Sequence, residues 1–139
     1  MPDRTAFHHI GILTRNLEES LHLYDAVFRY KLISGPKRIA ELDIQVACLE
    51  CDKAPRIELV QPLNPASTLG RMTVGASTGY HLAWEVEDLD ATRTHLGTMG
   101  FHALPVFSSL LWSGRRCGFS VGPTNELVEF VERSPLSKP

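Results

Sequence analysis

The chain has 139 residues, 43% of them hydrophobic, and sets 14 Lys and Arg against 16 Asp and Glu for a formal net charge of −2. That length and composition suit one globular unit with a sizeable core and exclude a disordered or fibrous chain. The charge is scattered and nearly balanced, so neither nucleic acid nor a membrane surface is expected as a partner. No apolar run approaches the ~20 residues of a spanning helix, and MPDRTAFHH does not read as a secretory leader. A cytoplasmic protein acting on a small molecule is the expectation.

In chain order, FHHIGIL reads as a strand, although it spends two positions on His8 and His9. Strands favour Val, Ile and aromatics, so a histidine there calls for another reason. NLEESLHLYDAVF follows with Leu17, Leu21, Tyr24 and Phe28 on one helical stripe, and Asn16 with Glu19 predicts an N-cap and capping box. YKLISG, LDIQVACLE and RIELVQP are three strand candidates separated by Gly-Pro and by Asp-Lys-Ala-Pro. After QPLNPASTLGRMTVGAST, a joint rich in Pro, Ser, Thr and Gly, the order starts again. YHLAWEV is a strand, DLDATRTHLGTMG a helix closed by Gly100, and HALPVF, RRCGFSV and ELVEFVE are strands.

The second half therefore copies the first. An offset of 72 positions takes His9 to His81 and Leu17 to Leu89, and one residue less takes IELV onto VEFV. The expected fold is α+β, two βαβββ modules in tandem. The first module covers residues 1–66, a linker 67–78, the second module 79–134 and a tail 135–139, all in one structural domain.

Each copy contributes one His near the start of its first strand and one Glu inside its last: His9 with Glu58, His81 with Glu129. Imidazole nitrogen and carboxylate oxygen are the donors of borderline or hard divalent ions, so zinc, cobalt, nickel, manganese and magnesium are all admissible. Each Glu sits among apolar neighbours, where its charge is costly without a compensating cation. His8, His22, His95 and His102 have no carboxylate in matching register and are read as structural. Cys48 and Cys51 form a C-x-x-C, but a zinc site needs about four donors and only Cys117 remains, so these are read as reduced, incidental thiols. Trp84 and Trp112 are read as core.

These residues resemble the vicinal oxygen chelate superfamily, which includes glyoxalase I, methylmalonyl-CoA epimerase, extradiol dioxygenases and the bleomycin- and fosfomycin-resistance proteins. The resemblance runs from HHIGI to ELVEFVE, and HHIGILTRNLEESLHLYDAVF, IELVQPLNPAST, YHLAWEVEDLDA and LVEFVE look most like the epimerase branch. It implies two βαβββ modules forming a curved mixed sheet with a concave metal-binding cleft, and a divalent ion held there by His9, Glu58, His81 and Glu129. The activity it implies is proton abstraction next to a carbonyl or thioester through an enolate, with Glu129 or Glu58 as base. The alternatives are a glyoxalase I-like lyase acting on a hemithioacetal and a resistance-type protein that binds a small molecule without chemistry. A second base would lie on LDIQVACLE, where Asp43 and Gln45 share a face and Glu41 just precedes them; Gln45 is the candidate for substrate contact there. Arg115 and Arg116 could meet coenzyme A phosphates, and Arg116 is taken as the substrate-binding one. The family's way of covering sheet edges implies a homodimer.

Overall fold

A computed structural model describes residues 5–73 and 80–133. Part of the expected linker and the expected tail lie outside the described residues. The elements run β1 (Ala6–Leu13), α1 (Leu17–Phe28), β2 (Lys31–Ile39), β3 (Ile44–Glu50), β4 (Ile57–Pro62), α2 (Thr68–Met72), β5 (Tyr80–Val86), α3 (Leu89–Gly97), β6 (His102–Ala103), β7 (Phe107–Ser109), β8 (Arg115–Val121) and β9 (Leu127–Glu132). With nine strands in mixed, open sheet and few helices, the class is α+β, as the sequence predicts.

Two compact units divide the chain, and they do not follow its order. One spans His9–Tyr80; the other joins the residues up to His8 with those from His81 onward. Accordingly Phe7 and His8 pack in the second unit, Phe7 edge-on to Trp84 and His8 edge-on to Trp112.

In the first unit the strand order is β2-β3-β4-β1. β1 and β4 are parallel, with Gly11 opposite Glu58, and the β2–β3 and β3–β4 pairs are antiparallel. The helical stripe read from the sequence covers one face: Leu17, with Leu21 and Tyr24 beside it, closes a core with Tyr30, Ala47, Leu49, Ile57 and Leu59. Phe28, the last residue of that stripe, is half-exposed and meets only the ring of Tyr24 among the described aromatic contacts. Asn16 caps α1 by accepting the Glu19 N–H. The reciprocal half of a capping box is replaced, because the Asn16 N–H goes to Thr14 Oγ1. β2 is irregular, with register shifts on both sides of Ser34. Gly35 there has φ +93°, and a Cβ on it would meet Val46 O at 2.6 Å, which excludes any other residue.

The second unit repeats the plan in the order β5-β9-β8-β6, with β7 also on β8 and with β5 and β9 parallel. Val86, Leu89, Leu96 and Phe130 form its core, and Asp88 caps α3 by accepting the Ala91 N–H. One expected strand, HALPVF, is instead two short ones. Pro105 has no N–H to give a ladder, and the carbonyl of Leu104 is taken by the Arg93 guanidinium.

One tie is shared by both units. The first N–H of each long helix is received by a side chain from the last two residues of the unit's last strand: Leu17 N–H by Gln61 Oε1 at 2.8 Å, and Leu89 N–H by Glu132 Oε2 at 2.9 Å.

Two histidine–glutamate half-sites

Each unit builds the same small polar device. On a parallel strand pair the last strand places its Glu opposite the residue two positions beyond the His: Glu58 opposite Gly11, Glu129 opposite Ala83. Two positions on a strand restore the same face, so His and Glu become diagonal neighbours. His9 Nε2 lies 3.4 Å from Glu58 Oε1, and His81 Nε2 lies 3.2 Å from Glu129 Oε1. All four side chains are at most 3% exposed. Alternation had left open that each Glu turns outward to water; both faces of β4 and β9 are buried instead.

Burial makes these carboxylates expensive. Removing a carboxylate from water costs several kcal/mol even after relaxation, and a partner must supply positive charge. A divalent cation would do so, and the spacing fits it. Two donor atoms ~2.1 Å from one ion and subtending about 90–110° lie about 3.0–3.4 Å apart. Imidazole and carboxylate without thiolate is a borderline-to-hard donor set, and His9, Glu58, His81 and Glu129, all buried, are side chains that could hold a metal ion.

The residues flanking the two half-sites differ. Opposite Glu129 on β8 stands Phe119, whose ring meets the His81 ring edge-on at 4.9 Å and stacks on Phe107 at 5.6 Å. Opposite Glu58 on β3 stands Cys48. Burial, followed by the nearby Glu58 and Glu50 charges against that of Arg56, pushes its thiol up to about 11, so it is a neutral, compact side chain. Sequence reading missed both positions. The signal was there in principle, since pairing RRCGFSV with LVEFV and VACLE with IELV brings them opposite the glutamates, but it requires the hairpin registers.

The substrate-contact residues expected from the sequence fall elsewhere. Gln45 faces the same side of β3 as Ala47 and Leu49, which is the side covered by α1, and opposite to Cys48. Asp43 is not in the strand at all; it sits in a turn with φ +52° and pairs with Arg38 at 2.9 Å. Arg116 also points to the helix side, where it binds Asp90 at 2.9 Å and Glu132 at 3.3 Å. The Asp90 interaction holds that carboxyl below its ordinary range and raises the guanidinium. A one-residue step on a strand changes faces; it is Arg115 that shares a face with Phe119 and Glu129, and it binds Glu85. Cys48, Cys51 and Cys117 are free thiols.

The model of the glyoxalase/bleomycin resistance protein/dioxygenase superfamily matches residues 8–109. The chain belongs to this superfamily. Its fold relatives among solved structures include the methylmalonyl-CoA epimerase of Mycobacterium tuberculosis, with a TM-score of 0.75 at 23% identity over 94% of this chain and 89% of that one. A methylmalonyl-CoA epimerase in complex with methylmalonyl-CoA and NH4+ gives 0.76 at 22% identity over 97% and 99%. A hypothetical protein of Bacillus halodurans C-125 gives 0.76 at 20% identity over 99% and 100%. At such identities the likeness is one of fold, and it agrees with the epimerase branch to which the sequence points. No curated protein matches the chain. Among the described residues, no helix of this superfamily member is long and apolar enough to cross a membrane.

Proposed function

We propose that the chain is a divalent-metal-dependent enzyme of the epimerase or isomerase type. In this reading the two half-sites act as one site, and a carboxylate removes a proton next to a carbonyl or thioester. The observation that carries the proposal is the recurrence, in both units, of a buried His–Glu diagonal at donor spacing. One such pair is an ordinary ion pair. Two in matching register supply four donors for a borderline or hard divalent ion, with about two octahedral positions left for substrate oxygens. Superfamily membership and the epimerase fold relatives support the same reading.

A bound divalent ion would supply positive charge beside the substrate oxygen on which negative charge develops. The chain's own groups do the rest. His9 from within β1 and His81 from the start of β5 fix the donor geometry, and the apolar flanks exclude water, which strengthens electrostatics within the site. A Glu carboxylate takes the α-proton while the C–H electron pair moves into the enolate, and returns it to carbon. A homodimer and a cytoplasmic setting belong to the same proposal.

Metal analysis of the purified protein, followed by deuterium exchange at the α-carbon of acyl thioesters and hemithioacetals in D2O, tests it. About one divalent ion per chain and exchange with thioesters are expected. Exchange restricted to hemithioacetals would favour a lyase of the glyoxalase I type. Absence of both metal and exchange would overturn the enzyme reading in favour of a binding protein.

A further inference from the structure

The repeat offers an internal control for packing on the helix-covered face of each sheet. In the first unit Ile12, Tyr24, Ile57 and Leu59 belong to one core, and the Tyr24 ring lies 6.0 Å from that of Tyr30 and 5.3 Å from that of Phe28. Offsets of 72 and 71 residues carry those four positions to Trp84, Leu96, Val128 and Phe130. There the space is not filled. A cavity of about 320 Å³ opens in the second unit, lined among the described residues by these four with Thr5 and Phe101.

The sequence accounts for the difference. Leu96 replaces the Tyr24 ring, Gly100 stands at the place of Phe28, and His102, at the place of buried Tyr30, is exposed. Leu96 and Phe130 are buried and floor the cavity, while Thr5, Trp84, Phe101 and Val128 are half-buried around it. Phe7 braces the Trp84 ring edge-on at 5.7 Å. Alternation turns Trp84, Val128 and Phe130 to the face of β5 and β9 opposite to that of Ala83 and Glu129.

We infer that this cavity is a binding site for a small uncharged aromatic molecule of one or two rings, apart from the His–Glu half-sites and independent of the metal chemistry proposed for them. Its volume is at the lower end of the range for ligand pockets, about 300–1,000 Å³. It is about twice an apolar cavity of roughly 150 Å³ that holds benzene. None of the six lining side chains is charged, so an ionised ligand would give up its hydration without a partner. Trp84, Phe101 and Phe130 present ring faces and edges to another ring. The first unit shows what the matching space holds, namely aromatic side chains.

Titration of the full chain with indole, followed by proton–nitrogen correlation NMR, tests the inference. About one indole per chain with a Kd of about 1 mM or tighter is expected, with the largest shifts at Leu96, Phe101, Val128, Phe130 and the Trp84 side-chain N–H. Protein treated with EDTA should bind indole equally well, which separates this site from the proposed metal site. L96Y restores the ring that the first unit carries, and V128F narrows the half-buried wall; each should weaken indole at least ~10-fold and leave the first unit's resonances in place. 1-Hexanol and indole-3-carboxylate should each bind at least ~10-fold more weakly than indole.

No saturable binding by ~10 mM indole overturns the inference, as does binding that neither folded variant weakens. Should one variant not fold, the other decides; should neither fold, largest shifts in wild type away from the cavity would refute the site. Hexanol binding as tightly as indole would reject an aromatic ligand. Conversion of a dimer to a monomer by both variants, seen in sedimentation, would assign the cavity to a second copy of the chain instead.

Discussion

Glu85 lies between two guanidinium groups, Arg115 on Oε2 at 2.6 Å and Arg133 on Oε1 at 3.1 Å, and is about one-fifth exposed. Burial alone would raise its carboxyl; the hydrogen bonds and charges of Arg115 and Arg133 outweigh burial and hold it below the ordinary carboxylate range. A depressed carboxyl contributes stability that is present above its unfolded pKa and is lost as pH falls through the folded value. E85Q should therefore be less stable than wild type near neutrality, by about 1–3 kcal/mol, and the gap should close below about pH 4. Urea unfolding of both proteins at pH 7 and pH 3.5 measures it; a gap that stays constant would remove the ionic explanation. At this scale, the His and Glu of each half-site were legible because they recur at nearly one offset. Phe119 and Cys48 were not, since their importance comes from standing opposite a glutamate, and pairing register is a tertiary fact. Gln45 and Arg116 show the cost of not knowing which way a strand faces: each lies one step from a residue on the half-site face.

Helix starts were the most legible elements, because their chemistry is local. Asn16 and Asp88 occupy the N-caps that the sequence assigns to the two long helices, or the matching place in the repeat, and each receives the expected N–H at 3.0 Å. N16A and D88A should each cost about 1 kcal/mol, the usual price of losing such a cap. The caps share no partner, so the double variant should lose about the sum. Chemical denaturation of all three decides, and a double variant no worse than either single would show the two helix ends to be coupled. The ties from Gln61 and Glu132 to the same helices were invisible in sequence, because they join residues more than 40 positions apart. The break between β6 and β7 was likewise hidden. Pro105 hinted at it, but the Arg93 guanidinium on the Leu104 carbonyl is what fixes the chain between them.

For the whole molecule, ligand linkage gives the broadest test. A divalent ion that binds only the folded chain stabilises it by about 2.7 kcal/mol when its free concentration is 100 times its Kd. Thermal unfolding should thus shift upward by several degrees with Co2+, Ni2+, Mn2+ or Zn2+, and EDTA should reverse the shift. H81A should abolish the response without losing the fold. An unchanged midpoint for every ion would count against the proposed metal site. The α+β class and the duplication were legible because period and order repeat along the chain. The division of β1 at His8 was not, since FHHIGIL gives no local sign that its ends pack in different units.

The shifted register of β2 has a consequence for solubility. β2 ends the strand order, and an edge with free ladder groups invites another molecule to add on as a further strand. Lys31, Lys37 and Arg38 set like charges along it, Pro36 withholds a donor, and the two offsets about Ser34 spoil the even spacing a newcomer needs. A smoother, apolar version of this strand would gain regularity and turn the fold into a nucleus for fibre growth.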